Sequence, residues 1–390
     1  ALGYAHRQNP LYAARARETV AWLTRDMREE GAYAASEDAD SEGVEGKFYV
    51  WTAAEIRDVL GEDAAFFGQH YDLPEHGNWE ERIILERKTE LADEATERRL
   101  AECRARLLAR RAARIRPGRD DKILADWNAL TVAALARASA VFGEPGWLAE
   151  AQSVFDFILA RMGGADGRIA HAYRAGRISA AGLLDDQAAM LRAALALYEA
   201  TGEAARLDQC LRILAGAETH FSDGDGAFYV AADDAVDVPG PRGRNAADGP
   251  TPSGLGLMAE NYARLYALTG AEIYRAKAQA VLAAFGGRPD LLGSSPVLLA
   301  AADHLANASC VVVTGGAEAL AQAALAAPDP AVAVLRAAAG AALPAGHPAH
   351  GKAGNASAEP AAFICRGGTC ALPLHTAEDL RAGLRQLTET

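Results

Sequence analysis

Three stretches of this chain carry one pattern: Asp126 to Gly143, Asp185 to Gly202 and Ser253 to Gly270, each 18 residues long and each ending on glycine. The second and third both close on Tyr-x-x-Thr-Gly (Tyr198 to Gly202, Tyr266 to Gly270). After each glycine a second helical run begins, headed by Trp147, Leu207 or Tyr274, with a small residue four positions later in two copies, Ala151 and Ala278. The N-terminus repeats the theme with Tyr12 and Ala16. A repeated two-helix unit cannot bury its apolar face alone, so the units must stack. Units about 60 to 68 residues apart, joined by long polar loops, predict an all-α fold, an (α/α)6-type six-hairpin toroid.

Helices are expected near 11–28, 52–60, 93–114, 121–142, 146–162, 184–201, 203–220, 252–269, 271–285 and 298–307, where apolar residues recur at helical spacing between caps and breakers. Short strands are expected at 32–36 and 47–51, a polar irregular region from the end of the 52–60 helix to Thr89, and hairpin-like insertions at 168–178 and 227–231. The last 80 or so residues change character: strand candidates at 310–314, 331–335 and 361–365 flank an Ala-rich helix, and a terminal helix covers 377–387. This predicts two domains, an α/α toroid over 1–307 and a small α/β appendage over 308–390. Residues 338–358, rich in Ala, Gly and Pro, read as a loose loop. The chain opens Ala-Leu-Gly-Tyr without Met, so the toroid is expected to be incomplete, with its first hairpin outside this sequence.

The net charge of −13 argues against nucleic acid and anionic membranes as partners, since both need basic surfaces. The Arg-rich run from Arg104 to Arg119 is the exception and reads as a solvated helix face, because Glu94, Glu97 and Glu102 precede it. No run of 18 apolar residues is present, and no signal peptide is visible. Five scattered cysteines fit a reducing, cytoplasmic setting. Cys365 and Cys370 are read as free thiols, because no second pair or nearby His completes a zinc site.

In a ring of hairpins the helices after the long loops form the inner layer, and their N-termini, rich in free N–H groups, converge at one end. The most polar residues stand there: Asp120, Asp121, Lys122, Asp126, Trp127 and Asn128; Asp185, Asp186 and Gln187; Asp248, Thr251 and Ser253. The acidic loop with Asp38 and Asp40, and Trp79 beyond it, are further candidates. Carboxylates beside an indole and amides suit a sugar: the ring stacks on Trp, the amides bind hydroxyls, and two carboxyls supply acid and base. The plain alternative is that these acids are N-caps. The acidic loop lacks the EF-hand spacing, and no phosphate-binding or dinucleotide fingerprint is present; neither a metal nor a cofactor is expected. His171 and His220 have no evident partner in the sequence and are read as surface residues.

The motifs SEDADSEGVEGKFYVW (36–51), DDKILADWNAL (120–130), LLDDQA (183–188) and PSG (252–254) resemble the YyaL-type, spermatogenesis-associated family of thioredoxin-domain proteins, along nearly the whole chain. The segment AFIC-x4-C (362–370) resembles that family's end. The resemblance implies a six-hairpin toroid similar to N-acylglucosamine 2-epimerases and six-hairpin glycosidases, preceded in the same polypeptide by a thioredoxin-like domain. Asp38, Asp40, Asp121, Lys122, Trp127, Asn128 and Asp186 match the family pattern; Asp126 does not, and Leu255 replaces an Asn. It therefore favours Asp121 and Asp186 as the catalytic pair, with Trp127, Asn128, Lys122, Gln187, Asp38, Asp40, Trp79 and Ser253 binding substrate. Epimerases of this fold move protons with histidines on inner helices, and the inner helices read here carry none. The expected function is carbohydrate-active or carbohydrate-binding, with a small sugar as ligand and paired-Asp acid/base hydrolysis as one form. The competing expectation is a non-catalytic scaffold working with the thioredoxin-like domain in redox or protein handling.

Overall fold

The computed structural model describes residues 1–236, 240–287, 293–338, 345–347, 350–352 and 359–388. Most of the loop expected over 338–358 therefore lies outside the described residues. Fourteen α-helices are present among them, and the chain divides into two compact units. One comprises Ala1–Ala16, Trp22–Tyr33 and Lys122–Thr390; the other comprises Arg17–Ala21 and Ala34–Asp121.

Two helices open the chain, α1 (Leu2–Arg7) and α2 (Pro10–Trp22), and the second runs on into a π-turn at Leu23–Met27. The smaller unit then holds α3 (Ala53–Leu60), α4 (Asp63–His70) and α5 (Glu94–Ala112) around Trp51, Ile56, Phe67, Ile83 and Leu100. Thr52 caps α3 in a capping box with Glu55, a Thr-x-x-Glu pattern legible in the sequence. Helix α4 falls in the region expected to be irregular. Residues 47–49 form turns, not the expected strand; within 47–51 only Trp51 pairs, with Ile83. The Arg-rich run is not simply a solvated face. Arg99 and Arg106 both bond Asp63, and Arg114 stacks on Trp51 at 4.2 Å while donating to the carbonyls of Phe48 and Val50. Arg99 and Arg106 fasten α5 to the start of α4, and Arg114, just beyond α5, holds the turn before Trp51.

The larger unit continues with three helical hairpins: α6 (Ala125–Phe142) with α7 (Pro145–Met162), α8 (Leu184–Thr201) with α9 (Ala204–Phe221), and α10 (Gly254–Thr269) with α11 (Glu272–Gly286). They coincide with the sequence repeats to within a few residues. Helices α6, α8 and α10 lie side by side, and α12 (Pro296–Asn307) packs on α10. Most residues of α8 and α10 are buried, whereas α7 and α9 bury one stripe, as inner and outer layers require. Ala151 and Ala278, the small residues of the repeat, are both fully buried. The Thr-Gly ending also has a mechanical role. Gly202 and Gly270 take left-handed conformations (φ 73° and 66°) and return their N–H groups to Tyr198 and Tyr266. The preceding Thr201 and Thr269 accept the N–H groups of Glu203 and Ala271 at the start of the next helix.

Beyond α12 a four-stranded sheet pairs Ser309–Thr314 in parallel with Val332–Ala337 and antiparallel with Ala362–Arg366, which also pairs with Thr369–Cys370. Helices α13 (Glu318–Leu325) and α14 (Ala377–Thr388) pack against it over Val311, Val313, Leu320 and Leu380. The expected α/β segment is thus present, but in the same compact unit as the hairpins. Cys365 and Cys370 sit opposite each other on the last hairpin and are disulfide-bonded. This corrects the free-thiol reading: strand pairing, invisible in the spacing, brings the two Cβ atoms together.

A buried ion pair ties the inner helices to the sheet. Arg264 on α10 donates to Glu199 on α8 at 2.8 Å, and Glu199 also accepts the N–H of Val334 at 3.0 Å. Both side chains are about 5% exposed. Glu199→Gln should lower unfolding free energy by about 3–5 kcal/mol, because it leaves Arg264 buried without its counter-charge; a urea midpoint unchanged from wild type would contradict this.

Candidate functional site

The inner helices bring their N-termini to one end of the larger unit, and carboxylates link them. Asp185 and Asp186 occupy the first turn of α8. Asp186 accepts the Asp126 N–H at the start of α6 (3.3 Å), and Asp185 accepts the Gly254 N–H at the start of α10 (2.9 Å). Asp248 continues the series, accepting from Ser253 before α10 and from Val297 in the first turn of α12, each at 2.8 Å. Each acid satisfies an orphan N–H of a neighbouring helix. The approach is close enough that a Cβ on Gly254 would stand 2.8 Å from the Asp185 nitrogen, which explains the glycine of Pro-Ser-Gly.

Within this end, Asp126, His171 and Asp186 each contribute an atom to a group no wider than 4.8 Å. His171 precedes the strand Ala172–Arg174, which pairs with Ile123–Leu124 ahead of α6, and this pairing delivers the imidazole to the helix ends. Its Nδ1 lies 3.0 and 3.2 Å from the two Asp186 oxygens. Asp186 also accepts the Leu183 N–H at 2.8 Å and is fully buried. Because its oxygens act throughout as acceptors, the network assigns the proton of neutral His171 to Nδ1, leaving Nε2 as the other nitrogen. Hydrogen bonding to Asp186 raises the His171 pKa against the opposing effect of burial. Burial, and then the adjacent Asp186, push the Asp126 carboxyl up to about 6. Burial likewise raises Asp185. Asp126 accepts the Trp127 N–H at 2.8 Å through Oδ1, and Trp127 is 44% exposed.

The sequence candidates fall as follows. Asp38, Asp40, Trp79 and Asp121 belong to the smaller unit; Lys122, Trp127, Asn128, Asp186, Gln187 and Ser253 belong to the larger. Asp38 accepts the Asp40 N–H in a local turn, and Trp79 borders a cavity of about 710 Å³ with Glu42, Lys47 and Arg82. Asn128 exchanges hydrogen bonds with the Tyr33 backbone and donates to Leu124. Gln187 does the same with Ile169 and donates to Leu183. Ser253 caps α10 through the Gly256 N–H and donates to Ala246. These three buried side chains spend their polar atoms on backbone rather than presenting them to a ligand. The surface reading of His171 is corrected, since it is the partner of Asp186; His220 likewise bonds Asp233 at 2.9 Å. Asp126, set aside in the sequence in favour of Asp121, is the acid that stands beside Asp186.

Two oxygens and one imidazole nitrogen also make a cation donor set, as do His220, Asp233 and Asp234. In the first group a cation would have to displace the N–H and imidazole contacts already held by Asp186. A cavity of about 480 Å³ is bordered by Ala170 and Gln187, the chain neighbours of His171 and Asp186.

The raised Asp126 pKa has a consequence for stability. The unfolded carboxyl ionises near 3.8 and the folded one near 6, so the native state is favoured while the group stays protonated, and that advantage is lost as pH rises through 4 to 6. The raised His171 acts in the same direction at higher pH. Asp126→Asn should therefore be more stable than wild type at pH 7.5 by roughly 2–3 kcal/mol, with the gap closing toward pH 4. Parallel urea titrations across this range check it; a constant gap would refute the shift.

No known family model matches the chain. Spermatogenesis-associated protein 20 of Mus musculus is 28% identical over 324 residues, 71% of this chain and 41% of that protein; the Homo sapiens protein of the same name is 28% identical over 303 residues, 66% and 38%. The chain thus spans about two fifths of the length of these curated relatives. Among solved structures, a family 76 α-mannanase from Bacteroides thetaiotaomicron aligns over 74% of this chain and 73% of its own at 17% identity and TM-score 0.38. A cellobiose 2-epimerase from Spirochaeta thermophila aligns over 42% and 43% at 17% and 0.35. Scores this low carry no statement about chemistry. The chain is similar to spermatogenesis-associated protein 20 over some 70% of its length.

Proposed function

We propose that the inner-helix end of the larger unit is a carbohydrate-binding or carbohydrate-active site, with Asp126 as proton donor, His171 as its acid/base partner, and Trp127 as the stacking surface for a sugar ring. The observation that carries this reading is the grouping of the Asp126 carboxyl with the His171 imidazole and Asp186 at the inner-helix end, where burial and Asp186 push the Asp126 pKa up to about 6. A group whose pKa sits near the working pH suits general acid/base transfer, and both Asp126 and His171 are raised from their ordinary values. Asp186 is a positioning residue: fully buried and committed to three contacts, it orients His171 and cannot serve as a nucleophile. This favours proton transfer over the two-carboxylate hydrolysis read from Asp121 and Asp186, which needs two accessible carboxyls several ångströms apart.

The second reading, a scaffold acting with a thioredoxin-like domain, draws support from Asp185, Asp186 and Asp248 each capping a neighbouring helix. A thermal-shift screen against mono- and disaccharides separates the two. The enzyme reading expects at least one sugar to raise Tm, with Trp127→Ala abolishing the shift and any turnover declining above pH 6 in wild type. Asp126→Asn should keep the fold and lose turnover at least 100-fold. If no sugar shifts Tm in wild type, or Trp127→Ala responds like wild type, the scaffold reading stands.

A further inference from the structure

Three of the five cysteines fall on one line across the C-terminal sheet. Strands Ser309–Thr314 and Ala362–Arg366 run antiparallel with Cys310 directly opposite Cys365, and Cys365 in turn lies directly opposite Cys370 on the edge strand Thr369–Cys370. Residues directly opposite in an antiparallel pair project from the same face, so the three side chains form a row with Cys365 in the middle. Val311 and Val313 pack with residues of α13 and α14, and side chains alternate along a strand, so the row lies on the other face of the sheet. The charge of Glu199, on the inner helix α8, bears on Cys310 from that side. Cys365 and Cys370 are bonded, and Cys310 is a free thiol.

A row of this kind meets the requirements of disulfide exchange. A thiolate attacks one sulfur of a disulfide while the other sulfur leaves, and the attacker approaches along the S–S axis. Cys310 flanks Cys365 on the side away from Cys370, which is that approach. Directly opposite residues hold their Cα atoms about 4.5–5.5 Å apart, inside the span of about 4.4–6.8 Å that a disulfide bridges, so a Cys310–Cys365 bond is within reach without re-pairing the strands. Burial differs along the row: Cys310 and Cys365 are buried, and Cys370 at the sheet edge is partly exposed. Burial, and then Glu199, push the Cys310 thiol up to about 12, so about one molecule in 10⁵ carries its thiolate at pH 7. Effective molarities of about 10⁵ M or more for aligned groups in one molecule offset a fraction of that size, and a thiolate of high pKa is the stronger nucleophile.

We propose that Cys310, Cys365 and Cys370 form a thiol–disulfide relay, in which one disulfide moves between the edge pair Cys365–Cys370 and the interior pair Cys310–Cys365. In the forward step Cys310 loses its proton to water and its sulfur bonds to Cys365. The Cys365–Cys370 bond breaks, and its electron pair leaves on Cys370, which takes up a proton. Nothing is oxidised or reduced overall, so the step needs no co-reactant. It delivers a free thiol to the sheet edge, where that thiol can exchange with a disulfide compound from solution. The relay is separate from the acidic end of the inner helices and does not depend on the carbohydrate reading.

The test is alkylation of the full native chain with iodoacetamide, followed by acid quenching and disulfide mapping by mass spectrometry. In wild type the label should accumulate on Cys370 together with a Cys310–Cys365 disulfide. Its rate should rise about tenfold per pH unit from about pH 7 to 8.5, because the thiolate is the attacking species. In Cys310→Ala the Cys365–Cys370 bond should persist and Cys370 should stay unlabelled across the same range. Cys370→Ser should form the Cys310–Cys365 disulfide on incubation with oxidised glutathione. If Cys310→Ala fails to fold, the wild-type map decides the matter alone. No label on Cys370, a label on Cys370 without the Cys310–Cys365 bond, or equal labelling in Cys310→Ala would each overturn the proposal, as would a Cys370→Ser chain whose Cys310 and Cys365 remain unbonded to each other.

Discussion

Neighbouring inner helices in the larger unit present their N-terminal ends to one another, and the rest of that unit depends on how this is tolerated. Each such end carries a partial positive charge and unsatisfied N–H groups, so ends gathered together repel and cannot all be hydrated once buried. Carboxylates from an adjacent helix, or from the loop ahead of one, resolve both problems. Asp186 reaches α6, Asp185 reaches α10 and Asp248 reaches α12. Because each acid reaches an N–H of a neighbouring helix, the contacts also fix the spacing between helices. Gly254 permits the closest of these approaches.

The same constraint shapes the chemistry available. A carboxylate that caps and orients has no oxygen left for a substrate, and Asp186 is in that position. What it leaves reactive are its neighbours: Asp126, pushed up to about 6 by burial and by Asp186, and His171, raised by its hydrogen bond to Asp186. The structural and functional readings of these acids are therefore not exclusive, since the capping carboxylate is also what shifts the groups beside it. Farther along the same helices the charge reverses. Arg264 reaches the sheet through Glu199, which accepts the Val334 N–H, Arg192 pairs with Glu260 on the neighbouring helix, and Arg137 donates to the carbonyls of Ala327 and Asp329.

The scaffold was largely legible because its signals are local. Helical periodicity, Tyr-x-x-Thr-Gly endings and the Thr52–Glu55 capping box depend on residues within a few positions of one another, and the corresponding helices lie where the pattern put them. Helix α4 escaped because it is only eight residues long, too short for periodicity to separate it from a polar loop. The convergence of polar residues at three inner starts pointed to the right end of the unit. It did not say which of those residues would remain available: Asn128, Gln187 and Ser253 proved to be committed to backbone partners far away or across a turn.

The sequence by itself determined the hairpins, their order, the layer each helix occupies and the presence of an α/β segment, because period, caps and breakers act through nearest neighbours. Tertiary structure alone decided that His171 meets Asp186 across a strand pairing, that Asp126 is the acid beside them, that Cys365 and Cys370 are bonded across a hairpin, and that Cys310 stands opposite Cys365. Each of these joins groups from separate segments or opposite strands. Their protonation and pairing depend on burial and on charges brought near by folding, and no spacing along the chain records either.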